Sequence, residues 1–361
     1  MNRLHHLRET LPTNIEANID GPPLEFVLLD YNSKDGMEQW AKDNLQEYIN
    51  SGVLKYYKTT EPDFFNMSHS KNMAAMLTSG QIICNIDADN YAGPAYTQWV
   101  ASYFTDPKKT PVLTTIHKDF VPYSDLGGRL CFNKTLFTAV RGYDESLIGY
   151  GLDDIDLVNR MEKVGGERCF IDNQNFLKHI SHTDEERIRN YSLTNKLENI
   201  YFAASSDIRS KHKALYLLND YTFFEVEYVY GGIELSHFTA NFLGWVIHKD
   251  GLREGTFQRI ERGLHLHFEN DLPIVLEEEK PGILCSPVNK GRSFWKNISP
   301  KDKFYNILIK GYNECTNRYK YSENDRNSLL INPSGWGLGT VYMNFNDSRP
   351  IHLGPSLFEH I

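Results

Sequence analysis

Apolar positions in the first half of the chain alternate between two periods. Leu4, Leu7 and Leu11 repeat at helical spacing, which predicts an opening helix that Pro12 ends. Residues 24–30 (LEFVLLD) form a continuous apolar run, the pattern of a buried strand. Asp35 and Glu38 have the spacing of a capping box, and Met37, Trp40, Ala41, Leu45, Tyr48 and Ile49 then share one helical face. Residues 53–58 predict a short strand, 68–78 a helix burying Met73, Ala74, Met76 and Leu77, and 81–87 (QIICNID) another buried strand. Strands alternating with helices predict an α/β domain with a largely parallel sheet. Further on, 153–164 reads as a helix stopped by Gly165 and Gly166, 168–171 as a strand, and 187–218 as mainly helical. Residues 221–235, 264–277 and 340–345 are strand candidates, and 301–319 carries Phe304, Ile307, Leu308 and Tyr312 as a helical stripe. This change of texture sets a boundary near residue 220, between an α/β domain over 1–220 and a mixed, strand-rich α+β region over 221–361.

With 361 residues, 40% of them hydrophobic, the chain can fill a large core. The 38 Lys and Arg against 47 Asp and Glu leave a net charge of -9, which offers no general attraction to nucleic acid or anionic membranes. Any anionic ligand must be held locally. Five scattered cysteines without a C-x-x-C pair argue against a disulfide framework or a thiolate zinc site, and a reducing, cytoplasmic setting is expected. The longest apolar runs, such as 242–247, are too short to span a bilayer, so neither a signal peptide nor an anchor is expected.

Three segments carry candidate chemistry. Asp87-Ala88-Asp89 follows a buried strand, which puts both carboxylates at the strand's carboxyl end, where open α/β sheets bind ligands. About one such triplet is expected by chance in a chain this long, and Asp154-Ile155-Asp156 is a second, so location counts for more than pattern. His179 and His182 supply two imidazoles three positions apart. Carboxylate plus imidazole is a ligand set that suits Mn²⁺, tolerates Mg²⁺ and leaves zinc open. Residues 141–157 (RGYDESLIGYGLDDIDL) form a Gly- and Tyr-rich loop entering a helix on three carboxylates. Those acids serve the helix dipole in any case. Such a loop also suits stacking a sugar, here on Tyr150, and presenting its hydroxyl to a base.

Together these segments resemble glycosyltransferase family 2 of GT-A fold over roughly residues 1 to 190: LLDYNS at 28–33, SKNMAAMLTSGQIICNIDADN at 70–90, GG at 127–128, RGYDE at 141–145, GYGLDDIDL at 149–157 and HISH at 179–182. The last two are particularly similar to β-1,4-galactosyltransferases and polypeptide GalNAc-transferases. The resemblance implies a Rossmann-like, mostly parallel sheet flanked by helices. It also implies an enzyme moving a sugar, galactose or N-acetylgalactosamine by analogy, from a UDP-sugar to a carbohydrate or glycoconjugate acceptor with inversion. By the same resemblance Arg3 and Asp30 match nucleotide-contacting residues, and Lys71 and Asn72 the donor-side helix. Asp87 matches a residue near the ribose and a candidate ligand, Asp89 and His182 the Mn²⁺ ligands, with His179 able to join them. Gly128 lines the acceptor side. By that resemblance Asp154 matches the family's base, with Asp153 in place of the usual glutamate. Family members open with a buried strand before an Asn-Arg-like turn; this chain starts at Met1-Asn2-Arg3, so the first strand is expected to be missing. A non-catalytic sugar- or nucleotide-binding protein and a metal-dependent hydrolase are the alternatives, and the oligomeric state is left open.

Overall fold

The opening helix forms as its leucines predict, but Pro12 does not end it: α1 runs Leu4–Glu16 with Pro12 inside. A proline removes one helical hydrogen bond and crowds the preceding turn. Packing on both sides of it holds the helix together, because Leu4, Leu7, Leu11 and Ile15 are buried in one cluster with Leu28, Leu54 and Tyr56. Each such aliphatic side chain contributes about 1.5–3 kcal/mol on burial. Asp35 does not cap the next helix. Its Oδ2 accepts from the Leu4 amide at 2.8 Å, at the start of α1. Helix α2 (Met37–Asn44) therefore begins on Gly36, at φ +86° and without a side-chain cap, and α3 (Gln46–Asn50) continues the apolar face as a separate turn.

The computed structural model describes residues 1–117, 126–205, 211–230, 245–286, 294–327 and 331–354. The chain divides into two units, Met1–Thr183 with Asn317–Ile361, and Asp184–Thr316. In the first unit, β1 (Phe26–Tyr31), β2 (Leu54–Thr59), α4 (Met67–Met76) and β3 (Ile82–Asn85) lie where the apolar runs put them. Within α4, Met73 and Met76 are buried as expected, together with Ala75, whereas Ala74 and Leu77 are only partly covered.

The strands do not make one largely parallel sheet. Strand β1 pairs with β2 in parallel, then β15 (Gly339–Met343) joins β2 antiparallel, with β16 (Pro350–Leu353) beyond it. A second sheet has the order β3-β5-β4-β6, formed with β4 (Pro111–Thr114), β5 (Leu130–Asn133) and β6 (Glu167–Phe170), and only β4 and β6 run parallel. Parallel neighbours need a crossover between them, and neither β5 nor β15 enters beside its partner that way. A buried strand looks alike in either pairing, so the apolar runs could not show this. Both sheets share one core. Tyr31, Tyr57, Ile83, Leu130 and Phe132 meet Met73 and Met76 of α4, Leu157 and Met161 of α7 (Asp153–Lys163), and Trp336.

The second unit departs furthest from expectation. Among its described residues, the stretch 187–218 holds two short helices, α8 (Asp184–Ile188) and α9 (Ser192–Lys196), before strands β7 (Leu197–Ala203) and β8 (His212–Leu218). These close an antiparallel eight-stranded barrel with β9 (Thr222–Tyr230), β10 (Trp245–Ile260), β11 (Gly263–Phe268), β12 (Ile274–Lys280), β13 (Ile283–Cys285) and β14 (Phe294–Ile298). Closure leaves no free strand edge. Tyr201, Ala203, Leu215 and Leu217 join Phe223, Phe257 and Leu266 in the barrel's cluster. The alternate residues Phe202 and Tyr216 meet Phe304 and Tyr312 of α10 (Lys303–Asn327). Strands apolar on both faces read like buried helix, which is why the period misled. The textural change expected near 220 falls at the turn between β8 and β9. Of the strand expected over 221–235, residues 231–235 lie outside the described ones, as do 242–244 of the apolar run 242–247. Among the described residues no helix is long and apolar enough to cross a membrane.

Candidate active site

Strand β3 ends at Asn85, and the chain turns at once, Asn90 N donating to Asp87 O at 2.9 Å. This turn lies against the segment that follows β6. Tyr91 N donates to Lys178 O at 3.0 Å, Ile180 N to Asp89 O at 2.8 Å, and Asn90 bridges His179. The consequence is that the Asp89 carboxylate and the His182 ring meet, Oδ2 to Nε2, at 2.9 Å. Burial alone would raise the Asp89 carboxyl; the hydrogen bond and charge of His182 outweigh it and leave Asp89 below the usual carboxylate range. Three backbone steps in extended chain place side chains on opposite faces, and His179 accordingly turns Nδ1 toward Leu177 O, at 3.4 Å.

A second cluster lies around Lys71 of α4. Its Nζ reaches Asp153 Oδ2 at 3.1 Å and Asp154 Oδ1 at 2.7 Å, 5.0 Å from the centre of the Tyr143 ring. Burial disfavours the ammonium, but the two carboxylates more than offset it and hold it well above its ordinary value. Asp154 is pushed up to about 7, first by burial, then by Asp153, with Lys71 opposing. Asp87 is raised as well, mainly by burial, with Lys71 opposing and Asp89 and Asp153 adding to the rise. The two acids open α7 from Leu152, held at φ +73°, a conformation that costs energy and marks functional sites.

Gly127 and Gly128 run between the two clusters. A Cβ on Gly128 would come within 2.1 Å of Asp87 Oδ2, and one on Gly127 within 3.9 Å of Asp154 Oδ2. Gly128, expected on the acceptor side, backs Asp87, while Gly127 faces Asp154. Asn85 Nδ2 ties this backbone down by donating to Gly128 O at 2.5 Å.

Other residues singled out in the sequence have internal duties. Asp30 is buried and orders the turn after β1, accepting from Ser33 N at 2.9 Å and from Tyr56 OH at 2.8 Å. Asn72 is wholly buried: Nδ2 donates to Tyr143 O and Glu145 Oε1, and Oδ1 accepts from Tyr143 N. It braces the 143–145 turn. Arg3 stands at the N-cap of α1. Tyr150 sits half-buried between Gly149 and Gly151, both at positive φ, and Asn317 Nδ2 holds the loop at Gly151 O at 2.9 Å. Sequence reasoning passed over Arg129, fully buried beneath the turn, whose Nη2 donates to Asn90 Oδ1 at 3.1 Å and Tyr91 O at 2.9 Å. No local pattern distinguishes such an arginine.

Residues 1–145 match the model of glycosyl transferase family 2, and residues 116–183 match the model of the N-terminal domain of galactosyltransferase. The chain is a glycosyltransferase, with residues 1–145 of the family 2 type. Its first unit, which contains both matched segments and both clusters, carries the GT-A glycosyltransferase fold. Compared with curated proteins, this glycosyltransferase finds no match. Among solved structures it is similar to the catalytic domain of Drosophila β1,4-galactosyltransferase 7 in complex with xylobiose, at 15% identity and a TM-score of 0.33, over 53% of this chain and 88% of that one. A single-residue variant of that enzyme, in complex with manganese, UDP-galactose and xylobiose, is 15% identical with a TM-score of 0.31, over 46% of this chain and 74% of that one.

Proposed function

We propose that this glycosyltransferase moves a hexose, galactose or N-acetylgalactosamine by family resemblance, from a UDP-sugar to an acceptor hydroxyl with inversion, using a divalent cation at Asp89 and His182. The observation that carries this reading is the 2.9 Å approach of those two side chains from positions 93 apart. Their donor set fits Mn²⁺ or Mg²⁺: one carboxylate held ionised, one imidazole, and a second ring nitrogen of His182 that is buried without a hydrogen-bond partner. When bound there, such an ion supplies charge neutralisation to a departing diphosphate.

The chain's own residues do the rest. Asp154, with a carboxyl pushed up to about 7, is suited to take a proton from an acceptor hydroxyl near neutral pH. Lys71 holds that carboxylate and Asp153 in place from below. The Gly127–Gly128 backbone, lacking side chains, lets Asp87 pack directly against it and approaches Asp154 without crowding it. Tyr150, on a loop of positive-φ glycines, offers an aromatic face to a sugar. The test is turnover of UDP-sugars with Mn²⁺ and a panel of carbohydrate acceptors, read by NMR of the anomeric centre. Transfer from an α-linked donor to a β-linked product is expected. Retention of configuration, or release of free sugar with water as the only acceptor, would overturn the inverting transfer.

A further inference from the structure

Helix α1 and the turn that follows it carry four buried polar residues at a spacing of four. His6 is 4% exposed, Thr10 1%, Asn14 6% and Asn18 3%. In a helix, residues i and i+4 stack on one face, so this is a polar stripe beside the leucine stripe that faces the core. Its last three members dock on the loop that carries the aspartates. Thr10 Oγ1 donates to Ala88 O at 2.6 Å. Asn14 Nδ2 donates to Asn90 O at 3.0 Å, and its Oδ1 accepts from Ala92 N at 2.7 Å. Asn18 Nδ2 donates to Gly93 O at 3.1 Å. Buried polar groups of this kind are retained where they are satisfied and fix one arrangement. The stripe fixes α1 in register along residues 88–93, and the same register brings the next stripe member, His6, over His182, ring centres 5.7 Å apart.

We propose that His6 is a second imidazole of the cation centre, joining Asp89 and His182. This rests on the reading of those two residues as that centre. Two imidazoles on one cation, each with its nitrogen about 2.1 Å from the ion, place their ring centres about 4.5 to 5.5 Å apart, and the 5.7 Å found is within a small side-chain adjustment of that range. His5, the neighbouring residue, is exposed and outside the stripe.

The experiment is a Mn²⁺ titration of the full chain with saturating UDP, followed by the electron paramagnetic resonance of free Mn²⁺. The variants are His6→Ala, His6→Gln, His182→Ala, His5→Ala and Thr10→Val. Loss of a ligand or of its orienting partner weakens metal binding by about 10- to 100-fold. That loss is expected for both His6 variants and for His182→Ala, with His5→Ala unchanged. Thr10→Val, which loosens the helix without removing an imidazole, should weaken Mn²⁺ by less than about 3-fold. Wild-type affinity in His6→Gln, or an equal loss in Thr10→Val, overturns the role of His6 and leaves the centre standing. Wild-type affinity in His182→Ala overturns the centre and the proposal with it. Substitution by Co²⁺ adds a second readout. Its visible absorption should change between wild type and His6→Gln, and an identical spectrum counts against ligation.

Discussion

At the scale of single residues, burial sets the protonation of the acids. Asp154 shares a buried site with Asp153 and Asp87 and has one ammonium to offset three carboxylates. Its folded value, about 7, lies above the value near 3.8 of an unperturbed carboxyl. A base must be unprotonated to act, so kcat/KM should rise with pH through about 7 and then level. Asp154→Asn should lower kcat by about 100-fold or more while UDP binding, measured calorimetrically, changes little. Near-normal turnover in that variant would remove Asp154 from the base role. The same shift bears on stability. Between pH 4 and 7 the folded state holds a proton that the unfolded chain has released, so this group's contribution falls as pH rises. Asp154→Asn should therefore flatten the decline in Tm across that window, and an unaltered slope would show that the carboxyl titrates elsewhere.

Secondary elements act here by bringing backbone close to side chains. The turn after β3 and residues 178–182 hold each other by backbone hydrogen bonds, with Arg129 beneath, and the Asn85 side chain ties the Gly127–Gly128 segment to the end of β3. Gly128 cannot carry a side chain without displacing Asp87, since its Cβ would stand 2.1 Å from a carboxylate oxygen. Gly128→Ala should thus weaken UDP-sugar binding, read as a KM rise of about 10-fold, the cost of misplacing one polar contact by 1–2 kcal/mol. Gly127→Ala meets nothing nearer than 3.9 Å and should be milder. Equal effects from the two would contradict this geometry.

For the molecule as a whole, the first unit is completed from both ends of the sequence. Strand β15 extends the β1-β2 sheet. Trp336 packs edge-on to Phe137, and Gly337 N and Asn332 hold the 141–145 turn through Glu145 and Tyr143. Trp336→Ala should cost about 3–5 kcal/mol, the range for emptying a buried aromatic site, seen as a large drop in Tm. It should also lower transfer, because Asn72 and Glu145 share that turn. Full stability in this variant would mean that residues 331–353 are dispensable to the unit.

Local pattern by itself determined the early elements and the candidate acids. Period and burial fixed β1, β2, β3 and α7, and the place of Asp87 and Asp89 just past a buried strand marked them as ligand-facing. Strand direction was beyond it, because a buried strand has the same composition whether its neighbour is parallel or antiparallel. So was the barrel: Leu197–Ala203 and His212–Leu218 are apolar on both faces, one toward the barrel cluster and one toward α10, and such segments lack the alternation that distinguishes strand from helix. The spacing of four shared by His6, Thr10, Asn14 and Asn18 gained a meaning only from what the stripe touches. Only the tertiary structure decided that Asp89 meets His182, that Lys71 serves the acids of α7, and that Gly128 backs Asp87. Those are distances between residues remote in the chain, and a sequence pattern carries no distances beyond a few turns of its own helix or strand.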